Sequence, residues 1–208
     1  MHRTILVGSP RPDGRCAHLA EEIFDACIDE CPDDGVSMVS IAALDIGSCI
    51  GCDRCEAALT KGSEGYPQLP EKDDPLRQNP LAFKSDAAAH QCFMADGMGD
   101  VRLHLDAADH VIVVCPLYFA GPPAPFKALL DRLQPYFWSD IRTRTDLRRT
   151  FEVHVVGEKD NPYGFDPLVG ILRSSLGACG FHLTSILDWR GRISEAGVIL
   201  EDAEAVPL

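Results

Sequence analysis

The segment TILVGSPRPDGRC, residues 4–16, decides how this chain folds. Its first residues form a short apolar run that stops at Gly8, which is typical of a buried strand. After a turn-rich stretch, residues 16–31 repeat apolar side chains at steps of three and four, and this spacing predicts an amphipathic helix. Residues 36–42 are the next predicted strand. A strand, a crossover helix and a second strand form a right-handed βαβ unit with two parallel strands.

The remainder of the chain continues this alternation. Residues 111–115 are an unbroken apolar run, VIVVC, which favours a central parallel strand covered on both faces. Further strands are predicted at 151–156 and 182–187, and helices at 126–138 and 167–178. We therefore predict a single α/β domain over residues 1–208, with five strands and helices on both faces of the sheet.

Residues 61–91 interrupt the pattern. This stretch carries Pro67, Pro70, Pro75 and Pro80 and shows little periodicity. Long loops of this kind inside compact domains serve as lids, partner contacts or linkers, and the sequence does not choose among the three. We predict an insertion here.

Composition and charge exclude several classes of partner. The formal net charge of −13 disfavours nucleic acid, because affinity for a phosphate backbone depends on lysine and arginine. No apolar run approaches the roughly 20 residues that span a bilayer, and the first apolar run is too short for a signal peptide. We therefore expect a cytoplasmic protein that binds neither nucleic acid nor membrane.

The first loop predicts an anion site. A loop between the first strand and the first helix lies at the carboxyl edge of the sheet, where helix N–H groups and partial positive charge are available. Gly8 and Gly14 allow close approach of the backbone, Ser9 offers a hydroxyl, and Arg11 and Arg15 add positive charge. An ordinary turn with solvated arginines is the alternative interpretation.

Several known phosphate-binding motifs are absent at this loop. The Walker A spacing fails, since no Gly-Lys pair follows Gly8 at the required distance, and the dinucleotide fingerprint G-x-G-x-x-G is missing. None of the nine cysteines is followed six positions later by arginine, which excludes the phosphatase signature. A loop of the mononucleotide-binding type remains.

Two segments now carry a family resemblance. Residues 8–16, GSPRPDGRC, resemble the FMN phosphate loop of the NAD(P)H-dependent FMN reductases, which belong to the flavodoxin-like superfamily. Residues 115–121, CPLYFAG, followed by Lys127, Asp131 and Arg132, are similar to that family's segment after the third strand. The resemblance implies a five-stranded parallel sheet in the order 2-1-3-4-5, FMN as cofactor, NAD(P)H as co-substrate, and a homodimer or homotetramer.

The resemblance also assigns roles to residues. The residues it places around the FMN phosphate are Ser9, Arg11, Gly14, Arg15 and Cys16. Those it places along the isoalloxazine ring, with backbone N–H groups facing the polar edge, are Pro116, Leu117, Tyr118, Phe119 and Gly121. Gly157 and Glu158 form a third contact. Cys16 departs from the usual Ser or Thr, and a thiol is the weaker donor. No side chain is predicted to act as acid or base.

Three clustered cysteines suggest a second site. Cys49, Cys52 and Cys55 are each separated by two residues, and soft thiolates select iron–sulfur clusters or zinc. The segment is similar to the cluster-binding segment of the iron–sulfur flavoproteins, a branch of the same family, in which a fourth cysteine follows within a few residues. Here the next cysteine is Cys92. A [4Fe-4S] cluster, a structural zinc and free thiols all remain open.

We interpret the chain as an FMN oxidoreductase. NAD(P)H, or a reduced protein carrier, would reduce the flavin, and a small molecule or a protein would accept the electrons. Two alternatives stay open at this point. One is an electron-transfer module of the iron–sulfur flavoprotein type without NAD(P)H activity, and the other is a flavin-free zinc or thiol protein on the same fold.

Overall fold

The computed structural model describes residues 1–56, 92, 94–139, 141, 148–159 and 162–208. The predicted insertion at 61–91 lies outside the described residues. Within the described ranges, every helix is too short or too polar to cross a membrane.

Strands and helices alternate along the chain. The strands are β1 (His2–Val7), β2 (Gly35–Ser40), β3 (His110–Pro116), β4 (Arg149–Val156), β5 (Phe181–Asp188) and β6 (Glu204–Ala205). The helices are α1 (Arg15–Glu30), α2 (Met98–Ala107), α3 (Ala124–Asp131), α4 (Gln134–Trp138) and α5 (Asp166–Ala178), and a 3-10 turn covers Ile41–Ala43. Each predicted strand is present, with its bounds shifted by at most two residues.

The sheet has the order β2-β1-β3-β4-β5-β6, and its first five strands are parallel. The predicted flavodoxin-like α/β fold is therefore confirmed. Ile5 of β1 pairs with Ile112 of β3, and Pro116 at the end of β3 pairs with Val156 at the end of β4. Because these strands are parallel and in step, the loops that follow β1, β3 and β4 begin side by side.

Two details of the prediction were wrong. The sheet has a sixth strand: β6 runs antiparallel to β5, with Leu187 beside Ala205. A two-residue strand is too short to leave a periodic pattern, which is why the sequence did not reveal it. The predicted helix at 126–138 is two helices, because Pro135 lacks an N–H and its ring clashes with the carbonyl four residues earlier. Arg132 and Leu133 occupy the break.

The core lies in two layers, one on each face of the sheet. Val111 and Val113 of β3 belong to a large buried cluster that includes residues of α2, α3, α4 and α5. Ile112 and Val114 point the other way, into a smaller cluster with residues of α1. The predicted central strand is thus buried on both faces, as its apolar run requires.

Gly8 is fixed by a close contact with α3. A Cβ at this position would lie 2.5 Å from the ring of Phe126, which is fully buried. We expect Gly8→Ala to lower the free energy of unfolding by about 1–3 kcal/mol, measured by urea denaturation, since the ring has no free space to move into.

Gly170→Ala is the matched control, because a Cβ at that position of α5 meets nothing within 4 Å. Alanine there should be neutral or stabilising by up to about 1 kcal/mol through helix propensity. Equal free energies of unfolding for the two variants would show that the Phe126 contact does not restrict Gly8.

Candidate functional site

A cleft of about 640 Å³ opens at the carboxyl edge of the sheet, where the loops after β1, β3 and β4 meet. The residues that line it are Ser9, Arg11, Gly14, Arg15, Cys16, Pro116, Leu117, Tyr118, Val156, Gly157, Glu158 and Glu195. The structure therefore brings together all the residues predicted around the cofactor except Phe119 and Gly121. Val156 and Glu195 were not predicted.

The first loop is ordered around Ser9, which is buried. Its Oγ accepts a hydrogen bond from the backbone N–H of Arg11 at 3.2 Å. Gly14 is the N-cap of α1 and supplies no capping side chain, and the first turn of the helix contains no acidic residue. The N-terminus of α1, a 16-residue helix, lies at the cleft. Its first N–H groups carry partial positive charge, and no carboxylate in the first turn offsets that charge.

The two arginines of the loop have different environments. The Arg15 guanidinium donates from Nη1 to Glu158 Oε1 at 2.6 Å and from Nε to the carbonyl of Ser194 at 3.2 Å. Among the described residues, Arg11 has no ion-pair partner, and it is exposed. Arg11 is therefore the cation most available to an anionic ligand, while an anion at Arg15 has to compete with Glu158.

The tail of the chain forms part of the cleft, which sequence reasoning missed. Ser194 donates its N–H to the carbonyl of Val198 at 2.9 Å, and Leu200 donates to Arg192 at 2.8 Å, so this stretch folds back as a hairpin. Gly197, with φ +83°, packs directly on the ring of His18 in α1. The tail has no periodic apolar pattern, and no signal in the sequence placed it beside the first loop.

The loop after β3 contains a tight turn of left-handed residues. Tyr118 and Gly121 exchange both backbone hydrogen bonds, at 2.9 and 3.0 Å, and the central residues Phe119 and Ala120 have φ of 53° and 65°. These values are those of a type I′ turn, in which each non-glycine residue costs about 1–2 kcal/mol. The Phe119 side chain is fully exposed and does not line the cleft.

Burial controls the chemistry of Cys16. The residue is only 3% exposed, and this burial raises the pKa of its thiol to about 12, although nearby Arg15 lowers it. The thiol is therefore protonated at neutral pH. It can donate a weak hydrogen bond into the cleft, but it is not a nucleophile.

A second cavity of about 330 Å³ contains all four predicted metal-ligating cysteines. Cys49 and Cys52 are exposed, whereas Cys55 and Cys92 are partly buried. The wall also includes Met94, Arg132 and Trp138, together with the charged residues Asp53, Arg54 and Asp131. In the described part of the chain, no three Cys, His, Asp or Glu side chains are grouped as ligands of one metal ion. The four cysteines line one space, and thiolate is the donor that both iron–sulfur clusters and zinc take.

Comparison with known proteins fits this architecture. The profile of a family described as NADPH-dependent FMN reductase matches residues 1–151. The chain belongs to this family. The family resemblance of its loops is thereby confirmed.

Two curated relatives are iron–sulfur flavoproteins. The chain is 27% identical to one from Methanocaldococcus jannaschii over 130 residues, which are 62% of this chain and 49% of the relative. It is 26% identical to one from Archaeoglobus fulgidus over 133 residues, 63% of this chain and 44% of the relative. The chain thus spans about half the length of the curated relatives it matches.

Among solved structures, the fold is similar to that of an NAD(P)H:quinone oxidoreductase from Methanothermobacter marburgensis. The TM-score is 0.58 at 16% sequence identity, with 93% of this chain and 88% of the other covered. At this identity the similarity concerns the fold alone.

The cysteines should differ in their reactivity. With a pKa of about 12, roughly one Cys16 in ten thousand is a thiolate at pH 8, and the group is buried as well. We expect iodoacetamide to alkylate Cys49 and Cys52 in metal-free protein long before Cys16, as measured by peptide mass spectrometry over time. Unfolding in guanidinium is the control, and it should equalise the rates. Fast labelling of Cys16 in the folded protein would contradict its protonated, buried state.

Proposed function

We propose that the chain is an FMN-dependent oxidoreductase that transfers electrons from NAD(P)H to an acceptor. The observation that supports it most is the meeting of three loops, after β1, β3 and β4, at one cleft in a member of the FMN reductase family. The cleft lies outside the carboxyl ends of parallel strands, where open α/β sheets bind their ligands.

The phosphate of FMN would lie on the first loop. The unneutralised N–H groups at the start of α1 and the guanidinium of Arg11 supply positive potential there. Ser9 Oγ is held in place by the N–H of Arg11, and its hydroxyl donates to the Arg11 carbonyl at 3.5 Å, a long bond that a phosphate oxygen would replace. Cys16 contributes only a weak donor, so the backbone and Arg11 have the larger share of the binding.

The ring of FMN would lie along Pro116, Leu117 and Tyr118. The N–H groups of Leu117 and Tyr118 are already bonded, to Val156 at 2.9 Å and to Gly121 at 2.9 Å. Among the described residues, no acceptor takes the N–H of Phe119 or Ala120. We propose that these two donors serve the polar edge of the ring through the backbone, although neither residue lines the cleft and the Phe119 side chain points to solvent.

Bound FMN would supply the redox chemistry: NAD(P)H loses two electrons and a proton to become NAD(P)⁺, and the acceptor takes up both electrons. The chain itself binds, orients and shields the cofactor. We assign no residue as acid or base. A small molecule or a protein is proposed as acceptor, and it would approach at Tyr118, which lines the cleft and is 42% exposed.

We also propose the assembly and setting that the resemblance implies: one domain with an insertion at 61–91, a homodimer or homotetramer, and a cytoplasmic location. The exposed aromatic side chains of Phe119, Phe137 and Trp138 support the proposal of an oligomer, since large apolar groups on a surface favour burial against a partner.

FMN binding tests the assignment of the first loop. We expect Arg11→Ala to weaken FMN binding by about ten- to a hundredfold, because a charge-assisted hydrogen bond contributes roughly 1.5–3 kcal/mol. Glu158→Gln should strengthen binding several-fold, because it frees Arg15 for the phosphate. Quenching of flavin fluorescence measures both.

Arg173→Ala is the control, since Arg173 is exposed on α5 away from the cleft. Riboflavin, which lacks the phosphate, should bind wild type and Arg11→Ala alike. Wild-type protein without affinity for FMN would eliminate the flavin assignment and favour the flavin-free alternative.

The cysteine cavity is proposed to hold a [4Fe-4S] cluster on Cys49, Cys52, Cys55 and Cys92, which would pass electrons singly. The four thiols lining one space support this over free thiols.

We expect Cys92→Ser to lose most of its iron after anaerobic reconstitution while it keeps FMN. Cys31→Ser, outside the cavity, should retain both. Iron content of Cys92→Ser equal to that of wild type would remove Cys92 from the ligand set.

NADPH oxidation separates the main function from its alternative. We expect steady-state oxidation of NADPH or NADH that increases when a quinone is added. Holoprotein that oxidises neither nucleotide, yet accepts electrons from a reduced protein carrier, would instead establish the electron-transfer module.

A further inference from the structure

Arg132 is a buried cation in the wall of the four-cysteine cavity. It occupies the break between α3 and α4, and its side chain is only 1% exposed. Nη1 donates to Asp96 Oδ2 at 2.8 Å and Nη2 donates to Asp96 Oδ1 at 3.1 Å, which is the bidentate geometry of a strong pair. A buried arginine in this arrangement is held in one orientation.

The same guanidinium ties together two segments that are distant in sequence. Nη1 also donates to the carbonyl of Gly47 at 2.9 Å, and Nη2 donates to the carbonyl of Met94 at 3.4 Å. Asp96 strengthens the tie by accepting the N–H of Gly47 at 3.0 Å. Gly47 lies two residues before Cys49, and Met94 lies two residues after Cys92. Arg132 therefore fixes how the first and the last cysteine of the set stand relative to each other.

One donor of Arg132 is unused. Nε is buried, and among the described residues it has no hydrogen-bond partner. A buried N–H without an acceptor costs about 1–3 kcal/mol, so a sulfur acceptor at this wall would stabilise it. Burial acts to lower the pKa of the guanidinium, but Asp96 and the nearby sulfur of Cys92 raise it, and the group stays charged.

We propose that Arg132 is a positioning residue for a sulfur-ligated anionic cluster in this cavity. Its two Nη atoms set the spacing of the Cys49 and Cys92 segments, and its Nε–H is available to a sulfur of the bound group. Its fixed positive charge favours the reduced, more negative state and so raises the reduction potential. The inference rests on the proposed function, because it requires a cluster on these cysteines.

The test compares reconstituted full-length variants by anaerobic redox titration, followed through the cluster's absorbance and electron paramagnetic resonance. Arg132→Gln removes the charge and should shift the midpoint potential to more negative values. Arg132→Lys keeps the charge but loses the Nε–H and the bidentate pair with Asp96. It should shift the midpoint potential in the same direction, by a smaller amount. Asp96→Asn removes the opposing charge and should shift it to more positive values.

Arg149→Lys is the matched control. Arg149 is another buried arginine, and it donates to the carbonyls of Ala108 and Cys179, away from the cysteine cavity. Its replacement should lower the melting temperature and leave the midpoint potential unchanged. A purely structural Arg132 would behave in the same way, so the potential distinguishes the two roles.

The outcomes are distinct. Wild-type potentials in both Arg132 variants, at full iron content, would overturn the inference and leave the cluster proposal intact. If Arg132→Gln does not fold or load iron, the midpoint potentials of Arg132→Lys and Asp96→Asn decide the question. Potentials shifted in the same direction in these two variants would overturn the inference. Wild-type protein that takes up no iron would refute the cluster proposal itself, and this inference with it.

Discussion

The pairing of β1 with β3 determines most of what this molecule can do. The ladder continues past the strand, since the N–H of Gly8 donates to the carbonyl of Val114 at 2.8 Å, and the ring of Phe126 then closes on Gly8. The chain consequently leaves the sheet at one fixed point and enters α1 at another. Because β3 pairs with β4 so that Pro116 lies beside Val156, the β1–β3 pairing also positions the loops after β3 and β4.

Electrostatics sharpen this arrangement. The chain carries a formal net charge of −13, yet the first loop gathers Arg11, Arg15 and the amino end of α1. Glu158 offsets one of these cations through a carboxylate that is 78% exposed, so the ion pair is weak enough to exchange for another anion. The cysteine cavity shows the reverse pattern, in which the countercharge of buried Arg132 is itself largely buried and does not exchange.

How far the sequence predicts the structure depends on the range of the forces involved. The parallel strands and the first loop were predictable because apolar periodicity and turn residues act locally. The other cleft loops and the cysteine set were predicted from the family resemblance, and all four cysteines do line one cavity. The break at Arg132 was not foreseen although Pro135 marks it, since apolar spacing continues across the break. The tail hairpin and β6 depend on contacts with His18 and β5, more than a hundred and fifty residues and about twenty residues away in the sequence, and leave no local pattern.

The tail has a consequence for the way the cleft receives a ligand. The carbonyl of Ser194 restrains the Arg15 side chain from the far end of the chain, so part of the conformational entropy that a phosphate would have to remove is already lost on folding. The segment around Ser194 thus restricts the conformations of the Arg15 side chain in the first loop. If the first loop binds the proposed cofactor, its recognition is coupled to the folding of residues around Ser194, although the sheet takes only the two-residue β6 from that region.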